Sequence, residues 1–416
     1  MKKRLIHDWN LGGKVFKPSK PVWFDDETLR DGLQSPSVRN PDIDEKLRIL
    51  RLMDRLGVQR VDLGLPGAGP RHREHIEAML RVITEERLSI RPGCAVRTMQ
   101  CDIEPIVELQ QRYRLPIQAS MFLGTSPIRK FVEGWTTARL LESCESAVKF
   151  AVSHELPVMF VTEDTTRSSP AEIRTIYTRA IELGARAICV ADTVGHATPR
   201  GVKRLLGFVR RVIDATGVEG VKINWHGHRD RCLSIANCLA AVEAGADVIH
   251  GTALGIGERA GNAPMDLLLV NMKLLGWIEN DLSCLAEYVQ VCSQALEVQL
   301  SRNYPVFGED AFETATGVHA AAIIKAFRKG DPELADAVYS GVPAGRFGLH
   351  QKIRVGHMSG RSNVVFWLES HHIEPQPGLV EKILEAAKFS ARLLRDDEIL
   401  AVIAAHGGAP EPAGQP

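Results

Sequence analysis

Short apolar runs alternate with longer stretches of helical period from residue 22 to about residue 252. The first run, Val22 to Phe24, leads into a polar segment. A helical pattern follows over 44–57, where Leu47, Leu50, Leu52, Met53 and Leu56 recur and Gly57 supplies a C-cap. The alternation then repeats: strand 58–63, helix 72–87, strand 88–96, helix 103–112, strand 116–123, helix 132–153, strand 156–162, helix 170–183, strand 186–191, helix 199–216, strand 220–225, helix 232–244 and strand 246–252. Short strands spaced by roughly 30 to 40 residues, mostly apolar on both faces, indicate a parallel sheet with helical crossovers. Eight such units in about 255 residues predict an α/β fold, a closed (β/α)8 TIM barrel over 22–275. An open doubly wound sheet is the alternative, but no GxGxxG turn follows the first strand to favour it.

Beyond the barrel the pattern is mainly helical. An amphipathic helix is predicted over 279–300, another ends near Phe327, and 377–402 holds one or two short helices. These divide into subdomains at 276–369 and 370–404, with an N-terminal extension over 1–21. The tail, 405–416, is rich in Gly, Ala and Pro and is expected to be disordered.

Chemistry concentrates at the predicted C-terminal strand ends, where barrel active sites are built. Reading those ends alone gives Arg30 and Asp31, Asp62, Arg97, Ser126, Glu163 and Asp164, Asp192 and Thr193, His226 and His228, and Thr252. Buried charge costs several kcal/mol unless paired or metal-bound, so adjacent Arg30 and Asp31 at a strand exit need a purpose. Asp31 can hold a cation while Arg30 faces an anion or a developing oxyanion; a plain loop clamp is the bland alternative. His226 and His228 lie two apart, so in an extended chain both imidazoles share a face. With Asp31, which barrel closure brings near, they make an N,N,O set that leaves open positions on a divalent ion. Asn262, in the glycine-rich loop 255–262, is a further oxygen donor.

Composition narrows the class. The 416 residues are 44% hydrophobic and 25% charged, with 51 basic against 51 acidic side chains, so charge gives no reason to expect nucleic acid or an anionic membrane as partner. Eight cysteines without CxxC spacing read as buried thiols of a cytoplasmic protein. No run approaches the ~20 apolar residues of a membrane span, and the basic start lacks a signal-peptide core.

The motifs Asp26-x-Thr28-Leu-Arg-Asp-Gly-x-Gln34, Gly124-Thr-Ser-Pro127, Glu163-Asp-x-x-Arg167-Ser, Ala191-Asp-Thr-Val-Gly195, His226-x-His228 and Gly255-Ile-Gly-Glu-Arg-Ala-Gly-Asn262 resemble one superfamily. It contains 2-isopropylmalate, homocitrate and citramalate synthases and hydroxymethylglutaryl-CoA lyase. The resemblance covers about 22–369. It implies Asp31, His226 and His228 as ligands of Zn2+, Mn2+ or Mg2+, with Asn262 on or near the ion. Arg30 would stabilise the enolate or alkoxide, Glu163 would be catalytic, and Gln34, Arg97 and Thr193 would bind the 2-oxo acid. His319 and Tyr339 would complete catalysis from a subdomain that crosses to the partner barrel, making an obligate homodimer with His319 supplied in trans. The Gly-Glu-Arg-x-Gly-Asn loop marks a synthase using acetyl-CoA, because lyases of this superfamily carry a catalytic cysteine there and none lies between 238 and 284. The expected acceptor is 2-oxoisovalerate, giving 2-isopropylmalate for leucine biosynthesis. Alternatives are homocitrate or citramalate synthesis, a lyase, or an inactive barrel with a binding role. The chain departs from its relatives at Arg129, Arg229 and Arg231. These either put positive charge into the acceptor pocket, selecting a more acidic 2-oxo acid, or pair with rim carboxylates such as Asp230.

Overall fold

The protein is described by a computed structural model over residues 5–11 and 16–407, so the tail from 408 onward lies outside the described residues. It divides into two compact units, one over residues 10–299 and the other over 300–407 with 5–9.

In the first unit eight parallel strands close into a ring in chain order. They are β1 (Trp23–Asp26), β2 (Arg60–Asp62), β3 (Arg91–Arg97), β4 (Gln118–Gly124), β5 (Val158–Glu163), β6 (Ala187–Asp192), β7 (Lys222–Gly227) and β8 (Val248–Gly251). Closure is made by β1 pairing with β8, from Trp23 opposite Val248 to Asp26 opposite Gly251. The Glu27 N–H extends that ladder by donating to the Gly251 carbonyl (2.9 Å). The longer crossover helices bury an apolar stripe on the ring. In the helix Ile43–Arg55, for example, Ile49, Leu50, Leu52 and Met53 are at most 2% exposed. That helix opens on a capping box: Asp42 accepts from the Glu45 amide, and the Glu45 carboxylate accepts from the Asp42 amide.

The predicted helix 132–153 is two helices, Pro127–Glu133 and Thr137–Ser153. Gly134 turns left-handed (φ 65°) to end the first, and the Thr136 side chain accepts from the Arg139 amide to start the second. The predicted helix 279–300 shortens to Leu285–Ala295, bounded by an Asp281–Ser283 turn and by Glu297 in the left-handed region.

The second unit is helical apart from a short parallel pair, β9 (Glu313–Thr314) and β10 (Lys352–Ile353). Helices Gly317–Phe327, Pro332–Val338, Arg361–Ser370, Pro377–Phe389 and Asp396–Ala405 surround two apolar clusters, one on Ile323 and Ile324, the other on Trp367, Val380 and Ile383. His319 and Tyr339 stack within this unit, ring centroids 4.1 Å apart, on its solvent-exposed surface.

Candidate active site

Alternate residues of the parallel strands point into the ring, and near the C-terminal ends of the strands they surround a cavity of about 300 Å³. Ala95, Phe122, Met159, Val161 and Ala191 give it apolar walls, while Ser120, Glu163 and Thr193 add polar groups. At its β1–β7 side lie Arg30, Asp31, Gln34, Asp62, His226 and His228.

One guanidinium organises that side. Arg30 donates from Nε to Asp62 Oδ2 (3.0 Å) and from Nη1 to Asp31 Oδ1 (3.0 Å), and its Nη2 lies 2.8 Å from Glu27 Oε1. Three buried carboxylates therefore share a single arginine. Burial pulls the three upward, and the local balance decides each outcome. It pushes Asp62 up to about 7 against Arg30. For Asp31, Arg30 and His226 overcome burial and hold the carboxyl below its usual value. For Glu27, Arg30, His226 and His250 outweigh burial and hold it well below.

Asp31, His226 and His228 are all buried, and their donor atoms converge: His226 Nε2 lies 3.8 Å and His228 Nε2 3.7 Å from Asp31 Oδ2. These separations are too long for hydrogen bonds, and suit donors that each sit about 2.0–2.2 Å from a shared ion. Burial and then neighbouring His226 push His228 down to about 4, so this imidazole is neutral and keeps a lone pair for an ion. The surplus of carboxylates over one guanidinium supplies the matching negative charge. A buried His/Asp cluster fit for a divalent cation is therefore present.

Asn262 reaches the cluster because its loop continues the pairing of β7. The Ala263 amide donates to the Gly227 carbonyl and the Arg229 amide to the Gly261 carbonyl, setting Asn262 across from His228. Its Nδ2 donates to Asp31 Oδ2 (2.6 Å), while its buried Oδ1 has no hydrogen-bond partner. The turn depends on Gly261 (φ 97°), where a Cβ would fall 1.9 Å from the Gly255 carbonyl oxygen.

Other expected residues are placed differently. Arg97 forms a two-pronged pair with Asp102 (2.6 and 2.8 Å), and Arg129 pairs with Glu133 (3.1 Å) against the face of Trp135; neither lines the cavity. Arg229 braces the loop through the Ala260 and Leu254 carbonyls, and Arg231 reaches the His196 carbonyl. The partner of Asp230 is Arg259, which the sequence reading passed over and which does line the cavity. Asp164 and Asp192 belong to the outward register and are spent on Arg167 and on the loop 196–197. Glu163 and Thr193 face inward, where burial raises the Glu163 carboxyl against the pull of Arg129.

Sequence reasoning also overlooked Glu27 and His250. Both lie on inward positions beneath the histidine pair, and the available signal was the period of two running from Asp25 to Glu27 and from Val248 to His250.

A closed (β/α)8 barrel with a buried histidine–carboxylate cluster at its C-terminal mouth is the architecture of a metal-dependent enzyme. Comparison with known proteins assigns the lineage: the HMGL-like family model matches residues 20–291, and the chain belongs to that family. Its chemistry is of the Claisen-condensing and aldolase type at a metal site. A homocitrate synthase of Methanopyrus kandleri is 32% identical over 367 residues, covering 87% of this chain and 86% of the relative. A probable 2-isopropylmalate synthase of the same organism is 31% identical over 366 residues, covering 87% and 68% respectively. Among solved structures, hydroxymethylglutaryl-CoA lyase from Pseudomonas aeruginosa superposes with a TM-score of 0.55 at 17% identity, over 66% of this chain and 93% of that one, a likeness of fold. No helix among the described residues is long and apolar enough to cross a membrane.

Proposed function

We propose that the protein condenses acetyl-CoA with a 2-oxo acid, with 2-oxoisovalerate as acceptor and 2-isopropylmalate as product. The observation that carries this reading is the convergence of Asp31, His226 and His228 on one point beside Arg30, at the mouth of a cavity that reaches into the ring. Asp31, His226 and His228 would hold the divalent ion, with the unpartnered Oδ1 of Asn262 as an additional oxygen. When bound, the ion supplies Lewis-acid polarisation of the acceptor's keto group.

The chain's own groups do the rest. Arg30 uses three of its five N–H bonds on carboxylates, which fixes its plane and leaves two for a developing oxyanion. Glu163, its carboxyl raised by burial, stands on the opposite wall as the acid–base group. His319 takes a proton from the acetyl methyl group with Tyr339 beside it, delivered from a second copy of the chain in a homodimer; their exposure within their own unit suits that delivery. A new bond joins the methyl carbon to the keto carbon, and water then cleaves the thioester to free CoA and a 2-hydroxy diacid. The reaction belongs to the cytoplasm, where acetyl-CoA and free thiols coexist.

The apolar acceptor is preferred because Ala95, Phe122, Met159, Val161 and Ala191 form the walls. The two lining guanidiniums, Arg30 and Arg259, already face carboxylates. Homocitrate synthesis is the second reading, favoured by the 32% identical relative of that name. Thiol release from acetyl-CoA with oxoisovalerate, pyruvate, 2-oxoglutarate, oxaloacetate and glyoxylate decides between them. The expected result is the highest kcat/KM with oxoisovalerate. No release with any acceptor, alongside cleavage of hydroxyacyl-CoA thioesters, would replace the synthase reading with a lyase.

The rim arginines give an independent check. Arg129 sits in a half-exposed pair and Arg231 on a surface carbonyl. Arg129→Leu and Arg231→Leu should therefore shift the preference between oxoisovalerate and 2-oxoglutarate by less than about threefold, the scale of an exposed ion pair. A tenfold swing in either variant would put that arginine inside the pocket.

A further inference from the structure

Beneath the histidine pair lies a buried group that the reaction above does not use. Glu27 is 4% exposed, and its two oxygens face different histidines: Oε2 lies 2.7 Å from His226 Nδ1, and Oε1 lies 2.9 Å from His250 Nδ1. On its far side His250 Nε2 lies 3.2 Å from Asn224 Oδ1, and the Asn224 amide nitrogen points to the Ile188 carbonyl. A continuous buried line thus runs from β6 through Asn224, His250 and Glu27 to His226, all within the ring.

We propose that Glu27, braced by His250, is a positioning residue that fixes the tautomer and ring orientation of His226, so that its Nε2 is the atom offered to the ion. This rests on the ion site argued above. A nitrogen lone pair cannot sit 2.7 Å from an ionised carboxylate oxygen, so the proton of His226 resides on Nδ1 and the lone pair on Nε2. Oε2 has no aligned hydrogen bond, so the contact is a close charge-to-ring approach, which still decides where the proton sits. Glu27 itself cannot swing away, since Arg30 and His250 both grip Oε1. Nor is it a ligand of the same ion in this arrangement: it approaches the Nδ1 edge of His226, while Asp31 lies toward the Nε2 edge.

The test is ion affinity of the purified full chain, measured by competition with a chelating dye, together with the visible spectrum of the cobalt-loaded protein. Glu27→Met removes the acceptor and should lower affinity about 10- to 100-fold, the usual cost of losing a partner that orients a metal-bound histidine. Glu27→Gln keeps a polar oxygen at this position but drops the charge; it should lose less affinity than Glu27→Met and shift the cobalt bands. Should Glu27→Met fail to fold, Glu27→Gln decides alone: wild-type affinity with an unchanged spectrum overturns the proposal. An equal or greater loss in Glu27→Gln than in Glu27→Met overturns it as well. His228→Ala separates the two levels of argument. If it binds the ion like wild type, the ion site itself is wrong; if it loses the ion while both Glu27 variants keep wild-type affinity, only the positioning role fails.

Discussion

His226→Ala is expected to abolish stoichiometric binding of a divalent ion and to cut thiol release at least about a thousandfold, while the barrel stays folded. Two of the three converging ligands would remain, but His228 is a neutral imidazole and Asp31 is already engaged by Arg30 and Asn262. Neither compensates for a lost donor. A metal that polarises a carbonyl supplies several kcal/mol to the transition state, and about 4 kcal/mol corresponds to the stated factor. The fold should tolerate the change because His226 contributes no ladder bond through its side chain, and Arg30 still pairs with both carboxylates that face this histidine. Elemental analysis, circular dichroism and the CoA-release assay check all three parts. Wild-type metal content in this variant would remove His226 from the site.

The second large effect concerns Arg30. Arg30→Leu strands Glu27, Asp31 and Asp62 in a buried cluster whose only guanidinium has gone. Breaking a buried charge network by deleting one partner costs about 3–5 kcal/mol, because the remaining charges are left uncompensated. The loss should therefore appear in stability as well as in activity, and it should shrink when a divalent ion is added, since the ion binds the folded state and restores positive charge. Arg30→Lys keeps the charge but cannot match three carboxylates with one planar fork, so it should fall between wild type and Arg30→Leu. Urea melts with and without saturating metal provide the readout. An Arg30→Leu protein as stable as wild type in the absence of metal would contradict the shared-guanidinium picture.

The residues that were legible in the sequence share one property: their chemistry is local. Arg30 and Asp31 are adjacent, and His226 and His228 share a face of one strand, so spacing alone pairs them. The ring was legible for a similar reason, because buried parallel strands read as apolar runs. Glu27 was hidden in the acidic run from Asp25 to Glu27 and His250 behind the apolar pair Val248 and Ile249, and only closure of β1 on β8 joins them. For the rim arginines the sequence left two roles open, facing the acceptor or pairing on the rim. Nothing local to Arg129 or Arg231 says which way a long side chain turns, and each found a partner on the rim instead of in the cavity. Arg259 was missed because its partner Asp230 sits in another loop, 29 positions earlier. The break at Gly134 carried a visible signal, a glycine followed by a threonine cap, which the apolar period across it masked.

Closure of the ring also sets a time order. The ion site draws Asp31 from the exit of β1 and its two histidines from the exit of β7, and β1 is held in place by β8. As the chain leaves the ribosome, Asp31 appears nearly two hundred positions before its co-ligands and must wait for residues 248–251 to arrive before its strand has both neighbours. Capture of an ion there would thus be a late event of biogenesis and a natural stopwatch for it: a nascent chain halted before β8 has Asp31, His226 and His228 but no ring to converge them.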